Sequence, residues 1–260
     1  MRKVASKSSK STLSRQEENA LKGWKIMKSL IRGIFIFSAL LLTTVGCAAR
    51  ERYVGVAEDV QTKAAMVNVY AIAEVTVLRF GENGLEMHTS TRPVRYAGSA
   101  VFISKTGTLL TCAHLFDNPN ISTITVTSRD GITQTAALLS ADFGRDLALI
   151  KVDGFHQDAA KLSKERLRVG QEVIAVGNPL GLDFTTTHGI VSTLNRDLDT
   201  GFYFTQIDAP INGGNSGGPL FNLSGELIGI NAAKMQDADG LGFAIAPEVI
   251  DDFLNQFRGI

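Results

Sequence analysis

Ser216 lies in the run Gly213-Gly214-Asn215-Ser216-Gly217-Gly218-Pro219. Its glycines free the backbone to take positive φ on either side of the serine, so amide N–H groups can converge on one point. Convergent donors are what a developing oxyanion requires. A Gly-rich surface turn has the same letters, so the partners must decide. Gly-x-Ser-x-Gly is also the nucleophile elbow of α/β-hydrolases, which place their acid and then their histidine after the serine. The four histidines here are His88, His114, His156 and His188, all before Ser216, which removes an esterase on order alone. A subtilisin order would need Asp59, the one Asp before His114, and its surroundings read as a linker.

The remaining order, His then Asp then Ser, finds a candidate at each position. Thr111-Cys112-Ala113-His114 ends an apolar strand, from which the imidazole is expected to project into a cleft between small neighbours. Arg145-Asp146-Leu147-Ala148-Leu149-Ile150 puts an acid at the start of another strand, where Asp146 can meet the imidazole Nδ1–H half-buried. Alone, His114 is a strand end and Asp146 a turn acid. Together the three contexts make a charge-oriented nucleophile. Cys112 is expected to pack as a small buried residue behind His114, and His188, in Thr187-His188-Gly189, is a candidate cleft-wall residue.

Positioning these groups falls to short apolar runs broken by Gly, Asp, Asn and Ser. Ala65–Ile72, Val75–Phe80, Ser99–Ser104, Leu109–His114, Ile121–Thr127, Ala136–Leu139 and Leu147–Val152 read as one set of strands. After the charged connection Lys161–Arg168 come Glu172–Val176, Thr185–Ser192, Phe202–Ile207, Leu227–Asn231 and Gly242–Ile245, then one amphipathic helix, Pro247–Phe257. Two groups of strands without crossover helices imply an all-β protein of two antiparallel barrels, about 63–155 and 168–246, with a C-terminal helix at 247–257. At 260 residues and 44% hydrophobic composition the chain can bury that much core.

The formal charge of zero hides an asymmetry: residues 1–46 hold nine Lys or Arg against Glu17 and Glu18, and the rest carries a net charge of −7. A negative globular part argues against nucleic acid as partner. The basic leader reads as a polar extension over 1–26, with a possible true start at Met27, then a signal peptide over 27–46. Its end, Thr44-Val45-Gly46-Cys47, resembles a bacterial lipobox and makes Cys47 the expected lipidated first residue, followed by a tether over 47–62. With Cys47 lipidated, Cys112 stands alone and no intrachain disulfide forms. No His-Glu-x-x-His, structural zinc pattern or phosphate loop is present, so neither metal nor cofactor is expected.

Gly98–Ser104, Thr111–His114, Asp146–Lys151, Val176-Gly177-Asn178-Pro179-Leu180-Gly181, Gly189–Ser192, Gln206–Pro219, Leu227–Asn231 and Gly242–Ala246 together resemble the HtrA (Deg) family of trypsin-like proteases, over roughly residues 60 to 250. The resemblance implies a chymotrypsin-like double barrel of six strands each and proteolysis of unfolded or damaged cell-envelope proteins. His114 would be general base, Asp146 its orienting acid and Ser216 the acyl-forming nucleophile, with the Gly214 and Ser216 N–H groups as oxyanion hole. Asn231 and Ala232 would pair with an extended substrate as an added strand. Ile211, Asn231, Ala232 and Phe243 would line a specificity pocket without an acid, favouring small or medium aliphatic residues before the scissile bond.

Three departures from the family pattern matter. No PDZ domain follows the helix, so sensing of peptides through one is not expected. Gly213 stands where the family commonly has Pro, which loosens the loop and allows a partly collapsed hole at rest. Lipidation is unusual for a family whose members are often soluble trimers; Tyr53 is a candidate trimer contact. Asn215, uncharged, argues against activation by a new N-terminal ammonium and for loop ordering around 178–185 and 233–240. The partners expected are polypeptides, a membrane reached through Cys47 in a bacterial envelope with the outer membrane preferred, and two further copies in a trimer. The competing reading is a membrane-tethered chaperone or binding lipoprotein that uses the protease fold with little turnover.

Overall fold

The computed structural model describes residues 53–81, 84–179, 184–197, 203–234 and 240–257. The leader, the signal segment and Cys47 lie outside the described residues, as do Leu180, Gly181 and most of the 233–240 loop.

Two closed six-stranded antiparallel barrels make up most of the described residues. The first contains β1 (Ala64–Gly81), β2 (Gly84–Phe102), β3 (Thr108–Thr111), β4 (Ile121–Ser128), β5 (Thr133–Asp142) and β6 (Leu147–Lys151), hydrogen-bonded in the order β1-β2-β3-β6-β5-β4. The second contains β7 (Glu172–Gly177), β8 (Thr185–Asp197), β9 (Tyr203–Ile207), β10 (Pro219–Asn222), β11 (Leu227–Lys234) and β12 (Gly242–Ile245), in the order β10-β11-β12-β9-β8-β7. Closure removes the sheet edges that alternating apolar strands would otherwise expose.

Burial follows the sequence pattern. β6 is buried along Leu147, Ala148, Leu149 and Ile150, and β7 from Val173 to Gly177, because each crosses a barrel wall packed on both faces. Phe102, Leu109, Leu110 and Ile150 fill the first barrel, and Val173, Ile207, Leu220 and Ile228 fill the second. The terminal helix α2 (Pro247–Asn255) starts with Pro at its first turn, where the missing N–H costs nothing, and buries Pro247, Ile250 and Phe253.

The elements differ from the sequence-based expectation in several places, β2 among them, which starts at Gly84 and not at Ser99. Ala65–Ile72 and Val75–Phe80 are one strand, β1, paired along its whole length with β2 from Ala64↔Val101 to Gly81↔Gly84. Beyond Ala71 this hairpin leaves the barrel and exposes Leu78, Phe80, Leu85 and Met87, so no inside–outside alternation marks it. Pro219–Asn222 forms β10, a short, wholly buried strand hidden behind the Gly-Gly turn. His114 does not end β3: the strand stops at Thr111, and Ala113–Phe116 form a 3-10 turn. Residues 53–62, expected as tether, form a helix, α1, that buries Val60. Among the described residues no helix is long and apolar enough to cross a membrane.

Candidate active site

Thr111 and Cys112 are fully buried at the end of β3, and the 3-10 turn that follows lifts His114 out of the wall. Across from it, the Asp142–Asp146 turn delivers the acid. Asp142 Oδ1 accepts the Arg145 N–H at 3.0 Å and Oδ2 the Arg145 guanidinium at 2.6 Å, closing the turn. Burial pushes the Asp142 carboxyl up, but the Arg145 hydrogen bonds and charge outweigh it and leave the group below the ordinary carboxylate range. Asp146 then takes φ of 55°, a left-handed conformation that Asp tolerates better than most side chains.

That conformation grips His114 at three points. Asp146 Oδ1 accepts the His114 backbone N–H at 2.9 Å, and the Asp146 carbonyl accepts the Ala113 N–H at 3.2 Å. Nδ1 of His114 lies 2.9 Å from Oδ2 and 3.1 Å from Oδ1, so the carboxylate fixes the proton on Nδ1 and presents Nε2 as the basic nitrogen. His114 is 45% exposed and Asp146 23%, as a base needs if its far edge faces a cleft and its near edge does not.

Ser216 arrives on the turn that opens the second half of the second barrel. Asn215 N–H closes it onto the Asn212 carbonyl at 3.0 Å, and the Ser216 carbonyl accepts the Ser99 N–H at 2.8 Å across the barrel junction. Gly214 has φ of 100° and a Cβ there would stand 2.2 Å from the Asn178 carbonyl oxygen, so only glycine fits. Among the described residues, neither the Gly214 nor the Ser216 N–H has an acceptor, which leaves both for an anion. The Ser216 hydroxyl donates to the Ala232 carbonyl at 3.1 Å, and among the described residues no hydrogen bond joins it to His114.

Ser99, within the Gly98–Ser104 segment, is the junction's hub, a role that its residue type does not signal. Fully buried, its hydroxyl donates to the Gly214 carbonyl at 2.8 Å and accepts from the Asn178 backbone N–H and side-chain amide, both at 3.0 Å. One donor and two acceptor positions are thereby all used. Its own carbonyl accepts the Thr111 hydroxyl at 2.6 Å. Asn178 Oδ1 in turn accepts the Phe184 N–H at 2.8 Å, and Gln61 on α1 donates to the Phe184 carbonyl at 2.9 Å. No local pattern signals such long-range pairings.

The specificity residues divide. Ile211, Ala232 and Phe243 are all buried or nearly so, and Ala232 sits at a bulge in the β11–β12 pairing with its carbonyl toward Ser216. Asn231 is different: its N–H donates to the Gly218 carbonyl at 2.8 Å and its carbonyl accepts the Gly217 N–H at 2.7 Å, while Nδ2 holds the Pro219 carbonyl at 3.1 Å. Its backbone braces the nucleophile turn and is not free to pair with an added strand. Asn215, 3% exposed, has no hydrogen-bond partner for Oδ1 among the described residues, where it lies against Gly177. His188 stands on β8 beside Glu172, with Nε2 at 3.3 Å from its carboxylate and the Tyr53 ring 4.9 Å away, so Tyr53 packs on this chain.

Comparison with known proteins gives a trypsin-like peptidase domain over residues 98–230. A probable periplasmic DegP-like serine endoprotease of Halomonas elongata is 41% identical over 191 residues, covering 69% of this chain and 40% of that protein. The putative serine protease HhoA of Synechocystis is 45% identical over 163 residues, covering 59% of this chain and 41% of its own length. The chain thus spans about two fifths of these curated relatives. Among solved structures, the HtrA-type protease AlgW with a decapeptide has a TM-score of 0.64 at 30% identity, covering 80% of this chain and 68% of that one. A serine endoprotease from Yersinia pestis has a TM-score of 0.62 at 31% identity, covering 78% and 65%.

Proposed function

Because the chain belongs to the trypsin-like peptidase family, among its HtrA-type members, we propose that it is a serine endopeptidase that cleaves polypeptides through an acyl-enzyme on Ser216. The observation that carries this is the His114–Asp146 pair, whose hydrogen bonds put the proton on Nδ1 and leave Nε2 to receive the serine proton. On substrate binding the Ser216 hydroxyl turns from the Ala232 carbonyl to Nε2. As Oγ attacks the scissile carbonyl, its proton passes to His114, and the carbonyl oxygen becomes an anion held by the Gly214 and Ser216 N–H groups. His114 then gives the proton to the leaving amine, and water repeats the sequence in reverse on the acyl-enzyme.

At rest the hydroxyl is parked on Ala232, so activation includes breaking that bond. Ile211, Ala232 and Phe243 supply an apolar pocket without an acid, which suits small or medium aliphatic side chains before the cleaved bond. The substrates are unfolded or damaged envelope proteins, in keeping with relatives named as periplasmic endoproteases; Cys47 lipidation would hold the enzyme at the membrane and trimerisation would group three sites. Labelling with a fluorophosphonate probe tests the reading: the full chain should label and Ser216→Ala should not. Equal labelling of both, or none of either with a denatured polypeptide present, overturns it.

A further inference from the structure

Three candidate ligand atoms of different types meet on the protein side of the imidazole: Cys112 Sγ, His114 Nδ1 and an Asp146 carboxylate oxygen, all within 4.8 Å of one another. Two belong to the site already described. The sulfur does not, and nothing in the proposed mechanism uses it. We propose that these three atoms form a site for one borderline-soft divalent cation, with Zn2+ the best match, and that its occupation switches the peptidase off.

The donor set is thiolate, imidazole and carboxylate, which suits zinc with its fourth position open. Nδ1 and Oδ2 are 2.9 Å apart, a few tenths of an ångström closer than two ligands on a tetrahedral zinc, so Oδ2 must turn aside for the ion to take the Nδ1 lone pair. Closing the sulfur onto bonds of about 2.3 Å to sulfur and about 2.0 Å to nitrogen and oxygen needs a movement on the order of 1 Å. Asp146 Oδ1 stays on the His114 backbone N–H meanwhile and keeps the carboxylate aimed. At rest the Cys112 S–H donates to the Asn231 carbonyl at 3.5 Å, a weak bond that the ion would replace.

The proton count follows. Zinc takes Sγ as thiolate, and that one proton leaves to solvent. The carboxylate is already ionised. At His114 the metal takes the Nδ1 lone pair, so the imidazole proton moves to Nε2 with no net loss. Nε2–H then faces Ser216 and cannot accept its proton, so inhibition comes from the tautomer and not from blocking the cleft.

The effect on activity rests on the proposed roles of His114 and Ser216, whereas binding of the ion does not. The experiment therefore titrates the full chain with Co2+ and Zn2+ and reads three things. A thiolate-to-cobalt charge-transfer band should saturate at one metal per chain, survive Cys47→Ser and vanish in Cys112→Ser. Calorimetry in two buffers of different ionisation enthalpy should give one proton released per Zn2+. Fluorophosphonate labelling should fall by more than about tenfold with Zn2+, return with a chelator, and lose its metal sensitivity in Cys112→Ser, each variant scored against its own metal-free rate. If Cys112→Ser does not fold, zinc-edge X-ray absorption on the unsubstituted chain decides, since it must show one sulfur at about 2.3 Å. Absence of the band or of that sulfur, or inhibition that persists in Cys112→Ser, overturns the proposal. A band without any labelling in the metal-free chain leaves the metal site standing and overturns the peptidase reading instead.

Discussion

The Ser99 hydroxyl donates to the Gly214 carbonyl at 2.8 Å and, from the first barrel, fixes the Gly214–Asn215 peptide, which lies between the peptides that carry the Gly214 and Ser216 N–H groups. Orientation of a peptide plane is an all-or-none matter for such a donor, since the N–H and C=O point opposite ways. With Gly214 O held by Ser99 and the Asn215 N–H held by the Asn212 carbonyl, that plane is fixed on both sides and anchors the two peptides that flank it.

Ser99→Ala should lower kcat far more than it raises KM, on the order of 10²-fold, because it loosens geometry without touching substrate. It also leaves the Gly214 carbonyl and Asn178 amide unsatisfied in the interior, which costs about 1–3 kcal/mol each at most. Steady-state kinetics beside a thermal melt check this. A loss confined to the melting temperature, with kcat unchanged, would remove Ser99 from the site.

Asp146→Asn carries a sharper expectation. Asp146 Oδ1 accepts the His114 backbone N–H, so the Asn carbonyl stays there and turns its NH2 toward Nδ1. A donor facing Nδ1 stabilises the tautomer with the proton on Nε2, and kcat should fall by roughly 10⁴-fold with folding intact. Nitrogen NMR of the imidazole in the variant, showing protonated Nε2, would confirm the cause; protonated Nδ1 would refute it.

How much of this was legible in the residues depends on how far each signal reaches along the chain. His114 and Asp146 are hydrogen-bonded as the order of their motifs indicated, and Ser216 stands on the Gly-rich turn with its hydroxyl on the Ala232 carbonyl. Their local mounting was less visible: the sequence reads Leu109–His114 as one strand because Cys112 and Ala113 are apolar, yet the chain turns after Thr111 so that the Ala113 N–H can reach the Asp146 carbonyl. β1 read as two strands because its outer half has water on both faces and loses alternation. Ser99, Asn178 and Asn231 act through partners 115, 79 and 12 residues away, and an isolated Ser or Asn gives no sign of such a bond.

Gly213 and Gly214 are adjacent and should respond oppositely. A Cβ at 213 meets nothing within 4 Å, and its φ lies outside the positive range, so Gly213→Ala should raise stability by about 0.4–1 kcal/mol through the unfolded chain and leave labelling at least as fast. Gly214→Ala would push a methyl to 2.2 Å from the Asn178 carbonyl oxygen at φ of 100° and should abolish labelling. Chemical unfolding and probe kinetics on the two variants make the comparison. Loss of labelling in Gly213→Ala would show that the loop needs its freedom there.

Acid should reveal the turn that delivers Asp146. Burial opposes ionisation of Asp142, but its bonds to Arg145 more than compensate and its folded value lies below the ordinary 3.8. A depressed folded value means that the carboxylate's contribution is fully present above the unfolded value and disappears as pH falls through the folded one. Asp142→Asn should therefore melt below the unsubstituted protein at neutral pH, by under about 1 kcal/mol for a partly exposed pair. The gap should hold down to about pH 4, narrow below it, and close once Asp142 is protonated in both states. Parallel melts of the two proteins from neutral to strongly acidic pH measure it. A gap that stays constant into strong acid would show that the Asp142–Arg145 pair stabilises through packing and not through charge.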